Sequence, residues 1–359
     1  MTFDDHGVGP HALMVQRSSR GFVPLTAILE LTHRCNERCV HCYVIQPRGK
    51  PPELTTGQWK DILGQLAASG TIEVTFSGGE AFLRSDLFEI LEEARRLNFS
   101  IKLSTNATLV GSEEAARLSE LKPWEIGVSL YAADPAVHEA ITRLPGSFHR
   151  TVAGISAMVG QGMRVRIRSV LMQENLGQEE ALEALALRLG ASFSQDPLLT
   201  PRSDGSLDNL LHRLTPQQLR RSLEADAQRL LGEDDPARWD EVRQDKLQSF
   251  MCKAGINFVS IGPEGQVLPC VQFQQIAGNV SERPFAEIWK TSPVFRRLRA
   301  TVNADLDTCR DCELSPLCFR CPGEALLSNG DAFGPSTYAC MRAGFLNELR
   351  ASRRGFPER

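Results

Sequence analysis

Between residues 25 and 200 the chain alternates between two hydrophobic rhythms. In the first, apolar and polar side chains take turns. Ile72, Val74 and Phe76 oppose Glu73, Thr75 and Ser77, and Ile101 and Leu103 oppose Lys102, Ser104 and Asn106. Likewise Ile126, Val128 and Leu130 oppose Gly127, Ser129 and Tyr131, and Val165 and Ile167 oppose Arg164, Arg166 and Arg168. Period two predicts strands with one apolar face, here over 26–32, 71–77, 100–106, 124–131, 164–172 and 191–197. The second rhythm is helical, over 55–70, capped by Thr55 and stopped by Gly70, and over 85–99. Six strands alternating with helices predict right-handed β-α units, an α/β fold and a parallel sheet curved into a partial barrel. Strands buried on both faces read as unbroken apolar runs. These do not, so their polar faces are expected to line a lumen. Three arginines on one strand suit an anionic ligand; the other reading is an edge strand with its arginines in water.

Residues 202–251 read as a polar, mostly helical connector, with LTPQQLRRSLEADAQRLL its clearest helix. Past Phe250 the character changes to cysteines, glycines and turns, as in GPEGQVLPC, where Gly265 sits in an expected hairpin. The expected organisation is a lead (1–24), the partial barrel (25–201), the connector (202–251), a cysteine-rich domain (252–342) and a C-terminal helix or tail (343–359). With 23% charged residues and a formal net charge of −4, the chain has no basic bias toward nucleic acid. MTFDDHGVGPHALM lacks a signal-peptide pattern, and no apolar run reaches the length of a membrane span, so the expected address is the cytoplasm.

Cysteine usage changes the picture. Cys35, Cys39 and Cys42 form a C-x3-C-x2-C loop, seven more follow residue 251, and none lies between 43 and 251. In a cytosolic chain such grouping favours metal ligation over disulfides. The loop follows the first strand, at the C-terminal mouth where barrels hold their chemistry. Its thiolates can bind zinc with His33 or His41 as fourth ligand, or three irons of a [4Fe–4S] cube with the fourth iron open. One compact loop favours the cube. The second strand ends in SGGE, where Gly78 and Gly79 let backbone approach a ligand and Glu80 can accept from an ammonium group.

Together Cys35, Cys39, Cys42, Gly78, Gly79 and Glu80 resemble the radical S-adenosylmethionine (radical SAM) superfamily, over residues 25–200. The resemblance implies a partial (β/α)6 TIM-like barrel, with S-adenosylmethionine chelating the open iron through its amino and carboxylate groups. It also implies reductive cleavage to a 5′-deoxyadenosyl radical that abstracts a substrate hydrogen. His41, where the family often has an aromatic, is expected beside the adenine or simply packed in the loop. Ser104, Asn106 and Ser129 correspond to contacts with the ribose and methionine moiety, and Arg168 to a carboxylate partner. Turn formation by Asn106 and lumen filling by Ser129 are the plainer alternatives.

The tail reads C252-x17-C270, C309-x2-C312-x5-C318-x2-C321 and C340. Paired C-x2-C knuckles alone would suit zinc. The whole pattern resembles a SPASM domain, the extension of peptide-modifying radical SAM enzymes that carries two auxiliary [4Fe–4S] clusters, making three in all. The resemblance assigns Cys309, Cys312, Cys318 and Cys340 to the outer cluster and Cys252, Cys270 and Cys321 to the inner one. No further cysteine completes the inner set, and no histidine follows His212.

GASFSQDPLLTPRSDGS (190–206) is similar to the segment after strand six in peptide maturases, implying a ribosomally made precursor peptide and an oxidative modification or cross-link of thioether or C–C type. The short stretch before the first strand leaves no room for the leader-binding domain of many relatives. A separately encoded leader-binding protein is therefore expected, with a flavodoxin- or ferredoxin-type reductant. Glu73, Glu125, Tyr131 and Asp196 are lumen candidates for proton removal or electron relay; a salt-bridged lumen is the alternative. Formylglycine formation, small-molecule oxidation and a non-enzymatic cluster carrier are the competing functions.

Overall fold

The computed structural model describes residues 9–45, 52–231 and 236–354. Six strands, β1 (Thr26–Thr32), β2 (Glu73–Gly78), β3 (Ser100–Thr105), β4 (Glu125–Ser129), β5 (Val165–Val170) and β6 (Ser192–Asp196), pair in sequence order, all parallel. The α/β partial barrel expected from the alternation is present. Its apolar faces hold Leu29, Leu31, Val74, Phe76, Leu103, Ile126, Val128 and Ile167 against Trp59, Ile62, Leu63, Ile90, Ile155 and Met158 of the flanking helices. Full burial of each such side chain stabilises the fold by about 1.5–3 kcal/mol. The helix Thr56–Ala68 starts in a capping box in which the Thr55 hydroxyl accepts from the Gln58 amide.

Ile72 departs from the expected face. Thr71 is tied back by its hydroxyl to the Pro24 carbonyl, the strand starts at Glu73, and Ile72 is 41% exposed.

The sheet does not stop at the barrel. β7 (Phe258–Ile261) runs parallel to β1 on its other side, and β8 (Gln266–Leu268) and β9 (Gly278–Asn279) follow antiparallel, giving the order β6-β5-β4-β3-β2-β1-β7-β8-β9. Val259, Ile261, Val267, Phe285, Ile288 and Phe295 belong to the same apolar core as the barrel strands. The cysteine-rich region therefore begins as an extension of the barrel sheet. Its later part packs elsewhere: Leu317, Tyr338, Ala343 and Leu346 meet Leu214, Leu219 and Leu223 of the connector. The C-terminal helix spans Thr337–Arg354, starting before residue 343 and carrying Cys340. The helix Pro10–Gly21, within the lead, is tied to this half of the chain. Asn257 donates to Ser18 and Ser19, and the Trp289 indole donates to the Phe22 carbonyl at 2.6 Å.

Candidate active site and thiol centres

The chain after β1 is gripped by the end of β2. The Gly79 amide donates to the Thr32 carbonyl at 2.7 Å and the Glu80 amide to Arg34 at 2.8 Å. Gly78 has φ +134°, open only to glycine, and a side chain on Gly79 would strike the Arg34 carbonyl. The two glycines thus let backbone approach backbone at this crossing.

Glu80 is likewise turned inward. Its carboxylate is fully buried and accepts from the Thr105 hydroxyl (2.8 and 3.0 Å), the Asn106 amide (2.8 Å) and the Phe82 amide (3.1 Å). Three protein donors thus make the carboxylate a structural brace between the ends of β2 and β3. Asn106 continues it. Its side-chain nitrogen donates to Asn36 at 2.9 Å and lies 3.9 Å from the Cys35 sulfur, while its oxygen accepts from Thr108. Asn36 in turn donates to Thr108 at 2.8 Å. The ends of β1, β2 and β3 are locked together behind Cys35.

The far side of the thiol loop rests on aromatic rings. His41 meets Tyr131 edge-on with centroids 4.6 Å apart, and Tyr131 stacks on His138 at 5.7 Å. Burial pushes both histidines down to about 4, so they are neutral at ordinary pH. The Ser129 hydroxyl pairs with the Tyr131 phenol, placing two expected lumen residues behind the loop. The loop's outer edge is held by Arg202 donating to the Cys42 carbonyl and Asn209 to that of His41. Glu37, absent from the sequence-based candidates, is buried beside Cys39, and burial pushes it up to about 7.

In the lumen the charged candidates are paired. Glu73 binds Lys102 at 2.8 Å, and Glu125 is clamped by Arg166 (2.9 Å) and Arg168 (2.8 Å). Partial burial acts upward on Glu125, but the two guanidiniums hold it below the usual carboxylate range. Arg168 meets Glu125 through one guanidinium nitrogen, and Arg164 stacks over Trp124. Ser104 faces the lumen half-buried, and Asp196 is exposed, accepting from the Leu198 amide.

Sequence reading missed Glu30, whose signal was a single acid inside the apolar strand TAILELT. Its buried carboxylate accepts from the Tyr43 hydroxyl at 2.8 Å. Both line a cavity of about 190 Å³ with Ser203, Asp204, Gln266 and Gln274. The cavity opens between the loop after Cys42 and the hairpin leading to Cys270, and Glu30 acts electrostatically on the Cys270 thiol.

The ten thiols are all reduced and separate into three groups by the charges they feel. Cys35, Cys39 and Cys42 act on one another; Cys252, Cys270 and Cys321 do so; Cys309, Cys312, Cys318 and Cys340 form the third. Among the described residues no three metal-binding side chains converge as they would on one ion. Burial pushes Cys35 and Cys270 up to about 12 and Cys252 to about 11, so bare thiolates are unfavourable there. All-sulfur donor sets whose thiolates need a cation to form fit iron–sulfur ligation. Glu324, also unforeseen, anchors the second group: 1% exposed, it pairs with Arg213 at 2.9 Å and accepts from Ser328 and Ser336, while its amide donates to the Cys321 sulfur.

A parallel β/α half-barrel with a three-thiol loop at its mouth, continuing into a thiol-rich extension, defines a class of iron–sulfur enzymes. The chain matches the profile of the Radical SAM superfamily over residues 29–185 and that of SPASM, the iron-sulfur cluster-binding domain, over 252–313. Among its relatives, mycofactocin maturase MftC of Mycobacterium ulcerans is 31% identical across 78% of this chain and 78% of the relative. The PqqA peptide cyclase of Gluconobacter oxydans is 31% identical, covering 85% and 88%. An AdoMet-dependent heme synthase of Methanosarcina barkeri is 28% identical, covering 88% and 96%. This chain belongs to the radical SAM superfamily. It is an enzyme that uses iron–sulfur clusters and S-adenosylmethionine. Streptococcus suis SuiB bound to precursor peptide SuiA shares the fold at TM-score 0.69 and 17% identity, over 95% of this chain and 84% of SuiB. Among the described residues no helix is long and apolar enough to cross a membrane.

Proposed function

We propose that this enzyme modifies a ribosomally made peptide oxidatively, using three [4Fe–4S] clusters held by the three thiol groups. Cys35, Cys39 and Cys42 hold the one that binds S-adenosylmethionine; Cys252, Cys270 and Cys321 hold the inner auxiliary cluster, and Cys309, Cys312, Cys318 and Cys340 the outer one. Bound together, the first cluster and S-adenosylmethionine supply a hydrogen-abstracting 5′-deoxyadenosyl radical. The observation behind the peptide reading is the cavity between the loop after Cys42 and the hairpin leading to Cys270, whose polar lining can receive a substrate side chain. The kinship with a mycofactocin maturase and a PqqA peptide cyclase supports it.

The chain's own residues shape this site. The Gly78–Glu80 brace fixes Cys35, and the Tyr131–His138 stack fixes the opposite edge of the loop. Glu30 and Asp204 give the cavity an acidic wall that favours hydrogen-bond donors on the substrate. A cytoplasmic location, a separately encoded leader-binding protein and a flavodoxin-type reductant complete the proposal.

Co-expression with a short peptide encoded beside the gene tests it: the peptide should lose two hydrogens in mass only when Cys39 is present. A second reading is heme formation, favoured by the Methanosarcina barkeri relative matched over 96% of its length. A heme absorption spectrum from an iron porphyrin precursor, with no change in peptide mass, would select it.

A further inference from the structure

The connector sends one cation into the third thiol group. Lys246 lies near the end of the helix Pro236–Gln248, and its ammonium donates to the Ser315 carbonyl at 2.6 Å and to the Cys318 carbonyl. The turn leading into Cys318 thus closes on the ammonium, with the Phe319 ring centred 5.9 Å away. Among the described residues no carboxylate pairs with Lys246, and the acids of the neighbouring loop, Asp307 and Asp311, pair with Arg310 instead. A half-buried ammonium without a carboxylate takes its counter-charge from the thiolates, and Lys246 acts on Cys309, Cys312 and Cys318.

Charge is shared unevenly between the two tail groups. Arg320, fixed by the Ala332 and Gly334 carbonyls, acts on both, on Cys252 and Cys321 as well as on Cys309 and Cys340. Lys246 adds a second cation to the outer group, whereas the Glu30 carboxylate acts on Cys270 of the inner one. Cys340, in the outer group, is also the one exposed thiol of the ten. A [4Fe–4S] core held by thiolates is anionic and gains a further negative charge on reduction. A fixed cation beside it therefore favours the reduced form.

We propose that Lys246 raises the reduction potential of the outer cluster above that of the inner one, so that electrons leaving the substrate site come to rest at the outer cluster. The inference rests on the thiol grouping under the proposed function. One electron passes from the reduced inner cluster to the oxidised outer one, and no bond forms or breaks.

The test is a redox titration of reconstituted holoenzyme, with the reduced clusters read by electron paramagnetic resonance and Cys340→Ser identifying the outer signal. In the parent protein the outer cluster should reduce at the higher potential. Lys246→Gln keeps a donor but not the charge. It should shift the sharing of one electron about tenfold toward the inner cluster, a fall of about 59 mV in the outer potential. Lys246→Arg should hold the parent value, and the first and inner potentials should not move. An outer potential below the inner one in the parent overturns the proposal. So does an unchanged outer potential in Lys246→Gln, or an equal fall in Lys246→Arg. If Lys246→Gln and Lys246→Met both fail to load the outer cluster, Lys246 is a scaffold and the proposal falls. No peptide is present, so a failure of the peptide reading leaves these potentials where they are. If Cys309→Ala and Cys340→Ser leave every signal untouched, the thiol grouping itself is wrong, and the proposal falls with it.

Discussion

Replacing Glu80 by Gln separates two roles for one carboxylate. As a brace, Glu80 satisfies the Phe82 amide through one oxygen and the Asn106 amide through the other, with the Thr105 hydroxyl shared between them. Glutamine has one acceptor and one donor end. The Thr105 hydroxyl can turn to accept, but one backbone N–H must then face an NH2 group with no acceptor. A buried orphaned donor costs about 1–3 kcal/mol, a lowering of the apoprotein melting temperature by a few degrees. Because the Asn106 amide is displaced, its hold on Asn36 beside Cys35 loosens, and iron loading of the first cluster should fall as well. Thermal melting of the apoprotein and iron content after reconstitution read both effects. If Glu80 instead contacted the S-adenosylmethionine ammonium, Glu80→Gln would melt like the parent protein, load iron normally and lose only cosubstrate affinity. That result would refute the brace.

Three further outcomes follow from the same contacts. Gly79→Ala should drive a side chain into the Arg34 carbonyl and abolish the first cluster's signal while the auxiliary signals persist, read by electron paramagnetic resonance. Glu324→Ala removes the buried acceptor shared by half-buried Arg213, Ser328 and Ser336 and should cost about 1–3 kcal/mol, measured by denaturant unfolding. His138 is fully buried, with a folded pKa of about 4 against an ordinary 6.5. Its neutral form therefore contributes stability that is complete above pH 6.5 and lost as pH falls toward 4, about 3 kcal/mol across the window. His138→Gln should flatten that slope in apoprotein unfolding followed from pH 7 to 4.

The strand pattern was legible because one face of each barrel strand meets helices and the other does not; all six expected strands agree with the structure to within two residues at each end. Ile72 misled because a side-chain tie at Thr71, invisible to periodicity, delays the strand. β7 to β9 escaped notice as sheet members because FVSI is a short apolar run without alternation, and its partner β1 lies more than two hundred residues earlier. The chemistry of SGGE was visible, but its mechanical role was not. That role depends on donors from Thr105 and Asn106, which only the β3 crossover brings to Glu80. Glu30 stayed hidden for the same reason, since neither spacing nor residue type marks a lone polar side chain that gains meaning from a distant cysteine.

The account's central claim is that the Cys35–Cys39–Cys42 loop carries a cluster that cleaves S-adenosylmethionine. Anaerobically reconstituted protein given a strong reductant and S-adenosylmethionine should release 5′-deoxyadenosine, detected by chromatography, and Cys39→Ala should release none. Equal release from both proteins, or none from a parent protein that binds only zinc at that loop, would contradict it.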